Sequence, residues 1–196
     1  SLGVELWTKR DDLTGLAFGG NKTRKLQWLV KDAQQKGATV LITTGAPQSN
    51  HCRQTAAAAK VAGMNCVLVL GGNGSRENTG NLLLDHLLGA EIRWLAQSSR
   101  SEMMQSVAAE RRGEGEIPYV IPLGGSNGLG AASYIEATHE LAAQVDKPFD
   151  FIVFASSSGG TQTGIAAGVC ELGWKCSVLG ISVEKDSAHL VKVVEG

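Results

Sequence analysis

Much of what this 196-residue sequence can do is narrowed by what it lacks. Its charges nearly cancel, with 18 Lys and Arg against 19 Asp and Glu, so it offers no basic field for nucleic acid or an anionic membrane surface. Small molecules are the expected partners. No apolar run approaches the ~20 residues that span a bilayer, and the start, Ser1 to Leu6, has no basic region followed by an apolar core. The chain therefore reads as cytoplasmic. The four cysteines, Cys52, Cys66, Cys170 and Cys176, form no CxxC pair, and His51, His86, His139 and His189 are scattered without metal-ligand spacing. Disulfides and a zinc site are disfavoured, and no metal is expected. No GxGxxG follows the first strand-like run, which speaks against a dinucleotide fold. Neither an internal repeat nor a low-complexity tract is visible.

What is present is a regular alternation. Val4 to Lys9 alternates like a strand, and a helical pattern runs from Lys22 through Leu26, Leu29, Val30 and Ala33 toward Gly37. Residues 39–44, 66–70, 91–95, 119–121, 149–154 and 176–182 read as strands. Between them lie helical stretches at 54–62, 81–88, 102–112, 131–145 and up to Leu172. Strand and helix alternating throughout predicts parallel sheets of the α/β class.

Three motifs stand out. Lys22 and Lys25, after Gly19-Gly20-Asn21, are three apart on one helix, so their ammonium groups share a face beside a turn where backbone approaches closely. Such a pair suits an aldehyde and a phosphate, one lysine forming a Schiff base and the other neutralising charge. It is equally the pattern of a basic first turn on a solvated helix. Second, residues 155–164, small and glycine-rich, join a strand to a helix and leave backbone N–H groups able to surround a phosphate. They lack the lysine of a P-loop, so nucleotide hydrolysis is not indicated. Third, Gln48-Ser49-Asn50-His51 opens a helix, with Ser49 or Asn50 as N-cap, where polar groups can hold a carboxylate. A competing signal is Gly124-Gly125-Ser126-Asn127-Gly128, which matches the GxSxG nucleophile elbow and would make Ser126 the nucleophile of a serine hydrolase.

Taken together, Lys9-Arg10-Asp11-Asp12, Gly19 to Lys25, Gln48 to His51, Gly124 to Asn127 and Ser157 to Gln162 resemble the D-cysteine desulfhydrase and 1-aminocyclopropane-1-carboxylate deaminase family. The resemblance implies pyridoxal 5′-phosphate as cofactor and the two-domain α/β fold of the tryptophan-synthase-β type, fold type II. It implies Lys22 as the Schiff-base and catalytic lysine and Lys25 as a phosphate-side cation. Ser49 would be a catalytic residue at the substrate face, Asn50 would lie beside the cofactor's phenolic oxygen, and Ser49, Asn50 and His51 would hold the substrate. Ser157, Ser158, Gly159, Gly160 and Thr161 match the phosphate loop. A smaller domain, 37–134, would be inserted into a larger one formed by 1–36 and 135–196, with the cofactor between them. Histidine at 51 and the Gly-Gly-Ser-Asn loop favour the desulfhydrase branch. That branch eliminates across D-cysteine to give pyruvate, ammonia and sulfide, with ring-opening deamination or sulfo-lysis of cysteate-type substrates as the alternatives. A homodimer is implied. Relatives continue past the position of Glu195, so the resemblance also implies a site incomplete at its C-terminal side, and it assigns no role to 184–196.

Overall fold

The computed structural model describes residues 3–72, 76–182 and 186–195. In chain order the elements are α1 (Lys22–Gln35), β1 (Val40–Gly45), α2 (Asn50–Val61), β2 (Asn65–Leu70), α3 (Gly80–Leu87), β3 (Glu91–Trp94), α4 (Arg100–Gly113), β4 (Pro118–Val120), α5 (Gly128–Ala142), β5 (Phe151–Ser156), α6 (Gly160–Glu171), β6 (Ser177–Ser182) and α7 (Ser187–Glu195). All strand pairs are parallel, in a four-stranded sheet of order β3-β2-β1-β4 and a two-stranded sheet β5-β6.

The local reasons are legible. Ser49 caps α2 by accepting from Cys52 N at 3.2 Å, and Ser99 with Glu102 forms a reciprocal capping box on α4. β1 is buried along its whole length. Leu41 packs with Leu29, Ala56 and Leu68 on one face of the sheet, while Val40 and Ile42 pack with Val67, Met104 and Val107 on the other. Helices α1, α2 and α3 thus cover one face and α4 covers the opposite one, the arrangement that parallel sheets require. On β5-β6, Ile152, Phe154 and Val178 pack against Tyr134, Ile165 and Val169 of α5 and α6.

The structure corrects two expectations and sharpens a third. Residues 4–9 form no strand, because no other strand among the described residues pairs with them; they lie exposed, with Trp7 edge-on to Phe149 at 6.5 Å. Helix α2 extends the 54–62 stretch back to Asn50, in keeping with the expected cap at Ser49. The glycine-rich junction is a shorter loop than its composition suggests, since Gly160 to Gly164 are already helical. Of the tail assigned no role, 184, 185 and 196 lie outside the described residues, as do 73–75 of the glycine-rich loop. Within the described part of the tail, α7 places Val193 against Gly159.

Candidate active site

The site is built where α1 meets α6 and the first turn of α2. The approach to α1 is strained: Ala17 and Phe18 both have positive φ, 44° and 68°, a conformation that costs non-glycine residues of order 1–3 kcal/mol each and clusters at functional sites. Asp11 secures the turn. Its carbonyl accepts from Gly20 N at 2.8 Å, and its carboxylate accepts from Tyr134 Oη at 2.6 Å and Arg24 Nε at 3.0 Å. Arg24 also holds Glu140 of α5, whose carboxyl is lowered to about 2 by the hydrogen bonds of Arg24 and Lys9. This network registers the start of α1 against α5.

Burial separates the two lysines. Lys22 is half-buried and donates to Asn21 Oδ1 at 3.0 Å, while Asn21 Nδ2 donates to Thr161 Oγ1 at 3.1 Å on the first turn of α6. Its ammonium is pushed down from the usual lysine value by burial. Lys25 is fully buried and its hydrogen bond among the described residues is a long one, 3.3 Å, to the Gly124 carbonyl. Burial, and then the neighbouring Lys22, push it to about 7. A methyl group on Gly160 would stand 3.1 Å from Lys25 Nζ and 2.8 Å from Ser126 Oγ, so only glycine lets the N-terminus of α6 approach this ammonium. Gly124, with φ +67°, is similarly tight: a methyl there would meet Ser158 Oγ at 2.6 Å and Lys22 Cε at 3.6 Å.

A cleft of about 970 Å³ opens beside these groups. It is lined by Lys22 and Asn50 and by Ser157, Ser158, Gly159 and Thr161 of the loop leading into α6, with Asn21 and Tyr134 from the supporting network. The structure therefore brings together six of the residues singled out in the sequence, with Lys25 and Gly160 packed behind them. Ser49 and His51 are not among the lining residues. Ser49 engages its oxygen in capping α2. The His51 side chain turns into the core, where its Nε2 meets Thr43 Oγ1 at 2.8 Å. Thr43 Oγ1 also lies 2.8 Å from Ile121 O, so its one hydroxyl proton serves either that carbonyl or the ring nitrogen. Burial, with Lys22 and Lys25 adding to it, drives His51 down to about 3, so it is neutral. What position 51 can offer the cleft is backbone at the start of α2, not an imidazole.

Ser126 forms no nucleophile elbow. It follows the turn with φ −93°, and its hydroxyl meets the Ser158 hydroxyl at 2.6 Å, not a histidine; His139 instead pairs with Glu171 on the surface. The His189 side chain lies outside the described residues. Among the described residues, no histidine stands against the Ser126 hydroxyl as the base a serine hydrolase needs. Sequence reasoning missed Asn21, Arg53 and Asn81 as contributors to the site, and it singled out Ser126 for a different role, as a nucleophile. Asn21 was findable, since it stands directly before Lys22.

These residues suit a phosphorylated carbonyl compound. A buried ammonium with one long hydrogen bond and a glycine-permitted helix N-terminus form an anion cradle, and a half-buried lysine with a lowered pKa lines the adjoining cleft.

Comparison with known proteins agrees with that chemistry. A family model described as pyridoxal-phosphate dependent enzyme matches residues 1–195. The chain is 44% identical over 185 residues to a Pyrococcus horikoshii protein provisionally named 1-aminocyclopropane-1-carboxylate deaminase, covering 93% of this chain and 56% of that protein. It is 43% identical over 202 residues to the D-cysteine desulfhydrase of Klebsiella pneumoniae, covering 98% and 62%. A crystal structure of a 1-aminocyclopropane-1-carboxylate deaminase homologue aligns with TM-score 0.88 at 41% identity, over 95% of this chain and 59% of that one. A pyridoxal 5′-phosphate-dependent aspartate racemase, TM-score 0.69 at 20% identity, shares the fold. The chain spans about three fifths of the length of the relatives it matches.

Proposed function

Since the chain belongs to the pyridoxal-phosphate dependent enzyme family, we propose that it supplies the cofactor site of an enzyme that eliminates hydrogen sulfide from D-cysteine, leaving pyruvate and ammonia. The observation that carries this reading is the division of labour in the lysine pair: Lys22 lines the cleft, and Lys25 is buried behind it against Gly124 and near Gly160. Lys25, Ser157, Ser158, Gly159, Gly160 and Thr161 hold the phosphate, with Lys25 as the cation at its base. Asn21 orients the Lys22 amine through its Oδ1. Asn50, which lines the same cleft, would donate to the ring oxygen of the bound cofactor.

When bound, pyridoxal phosphate stabilises negative charge developing at the substrate's α-carbon. Lys22, already biased by burial toward the neutral amine, takes the α-proton. The electron pair of that C–H bond becomes the Cα–Cβ double bond, and the Cβ–S bond breaks with its pair leaving on sulfur. Water then hydrolyses the resulting enamine to pyruvate and ammonia. In this scheme the start of α2, which Ser49 caps, would lie toward the substrate carboxylate, the helix dipole favouring the anion.

Ring-opening deamination of 1-aminocyclopropane-1-carboxylate is a second reading, supported by the provisional names of the Pyrococcus relatives at 42–44% identity. The histidine that favours the desulfhydrase branch is buried away from the cleft, so it exerts no direct contact that would choose between the substrates. A cytoplasmic homodimer, in which the β1–β4 sheet and the β5–β6 sheet belong to two units closing on the cofactor, completes the proposal. The test is to reduce the loaded protein with borohydride, map the modified peptide, and measure keto acid and sulfide from D-cysteine beside keto acid from the cyclopropane substrate. Label on Lys22, sulfide from D-cysteine, and loss of turnover by at least 1,000-fold in Lys22→Ala are expected; label elsewhere, or turnover without Lys22, overturns the assignment.

A further inference from the structure

Asn50 lines the cleft as an exposed residue, and a carboxamide has two faces of opposite character. Two neighbours decide which face looks outward. Arg53 Nη1 donates to Asn50 Oδ1 at 2.9 Å and to Asn81 Oδ1 at 2.8 Å. Asn81 Nδ2 donates to Asn50 Oδ1 at 2.9 Å and to the Gln48 carbonyl at 2.8 Å. A guanidinium can only donate and a backbone carbonyl can only accept, so neither amide can flip without placing donor against donor or acceptor against acceptor. The Asn50 oxygen is thereby engaged twice, and Nδ2 is the part of the amide without a partner among the described residues.

Arg53 is itself held from the other side. It is buried, its Nη2 donates to the Gly19 carbonyl at 3.3 Å, and it lies 5.9 Å over the Phe18 ring. One guanidinium therefore bridges the strained turn that delivers Lys22 and the helix start that delivers Asn50.

We propose that Arg53 and Asn81 are positioning residues that fix the Asn50 carboxamide with its Nδ2 donors toward the cleft, where they stabilise the ionised ring oxygen of the bound cofactor. The proposal rests on the reading that Asn50 faces that oxygen. An N–H donor favours the ionised form of the oxygen it meets and lowers its pKa, and a donor carrying the polarisation of an adjacent guanidinium does so more strongly. Asn50 without its two neighbours is free to rotate and present Oδ1, which repels the same oxygen.

The test is the pH titration of the visible absorption band in the protein loaded with pyridoxal 5′-phosphate. Asn50→Ala should raise the midpoint by about one pH unit, the size of one hydrogen bond. Asn81→Ala, at the surface end of the network, should move it in the same direction by a smaller amount. The double variant should move it no further than Asn50→Ala alone, since Asn81 acts through Asn50. Arg53→Lys, which keeps the charge and loses the planar fork, should give the same small upward shift and serves in place of Asn81→Ala where that variant disturbs the fold. A shift in Asn50→Ala with none in Asn81→Ala or Arg53→Lys overturns the positioning role and leaves the Asn50 reading intact. No shift in Asn50→Ala overturns both, and additive shifts in the double variant overturn the route through Asn50.

Discussion

The two sheets are written in the same alphabet and buried differently. Val40-Leu41-Ile42-Thr43-Thr44 in β1 and Phe151-Ile152-Val153-Phe154-Ala155 in β5 are both apolar and β-branched on alternate faces. β1 is buried on both faces, whereas on β5 and β6 the residues Phe151, Val153, Leu179 and Ile181 stand 44–60% exposed among the described residues while their neighbours Ile152, Phe154 and Val178 pack on α5 and α6. A strand's composition states how many of its faces tolerate burial; the helices that arrive state how many are buried. The lysine pair sits on the seam between these two environments, α1 packing against both α2 and α5.

The largest expected contrast follows from that difference. Leu68 in β2 is fully buried and lies in the same cluster as Leu41 and Leu29, so Leu68→Ala should cost about 2–5 kcal/mol through lost transfer energy and the cavity left behind. Val153→Ala, 59% exposed, should cost within about 0.5 kcal/mol. Urea unfolding at unchanged slope reads both. Equal losses would mean that the exposed face of β5 is covered in solution, and the contrast between the sheets would disappear.

A second effect of burial on the four-stranded side is electrostatic. Asp85 on α3 is completely buried, neither carboxyl oxygen has a hydrogen-bond partner among the described residues, and burial pushes its pKa up to about 7 against the opposing pull of Arg53. The folded state therefore binds a proton there that the unfolded chain has released. That contribution is fully present below the unfolded value of 3.8 and is lost as pH rises through about 7. Asp85→Asn should match the parent protein near pH 4 and exceed its stability by roughly 2–4 kcal/mol at pH 8, with unfolding midpoints compared across that range. A constant difference at all pH values would show that the carboxyl is ionised throughout.

How far the sequence could be read depended on how local each feature is. The cap at Ser49 and the C-terminal glycine of α1, Gly37 with φ +68°, are set by a few neighbouring residues, and both were legible. The order β3-β2-β1-β4 was not, because β1 pairs with β4 across more than seventy intervening residues and no pattern inside either strand names its partner. Alternation at 4–9 misled because it describes a segment lying along a surface as well as a strand. Among the small residues at 155–164, Gly160 is already helical, and its smallness lets Lys25 approach; it does not extend the loop. The position of His51 was readable in principle. Consecutive helical residues point about 100° apart, so with Asn50 facing the cleft its successor turns toward β1. The roles of Arg53 and Asn81 were invisible, since a contact between α2 and the start of α3 leaves no local signature.

The smallest effect probes the seam itself. With burial and Lys22 holding Lys25 near 7, its amine is mostly neutral at pH 8.5, and a phosphate dianion arriving beside it favours the ammonium. Binding should then take up protons, approaching one for each phosphate group between pH 8 and 9 and falling toward zero at pH 6, where Lys25 is already charged. Pyridoxine 5′-phosphate is the suitable probe, because it carries the phosphate and ring but no aldehyde to react with Lys22. Calorimetry in two buffers of different ionisation enthalpy counts the protons. The phosphate's own second ionisation, with a pKa of about 6, contributes little at pH 8.5. Lys25→Met should remove the uptake and weaken binding together. Weakened binding with the uptake intact would assign the proton to Lys22 instead, and the burial that separates the two lysines would then have the opposite chemical meaning.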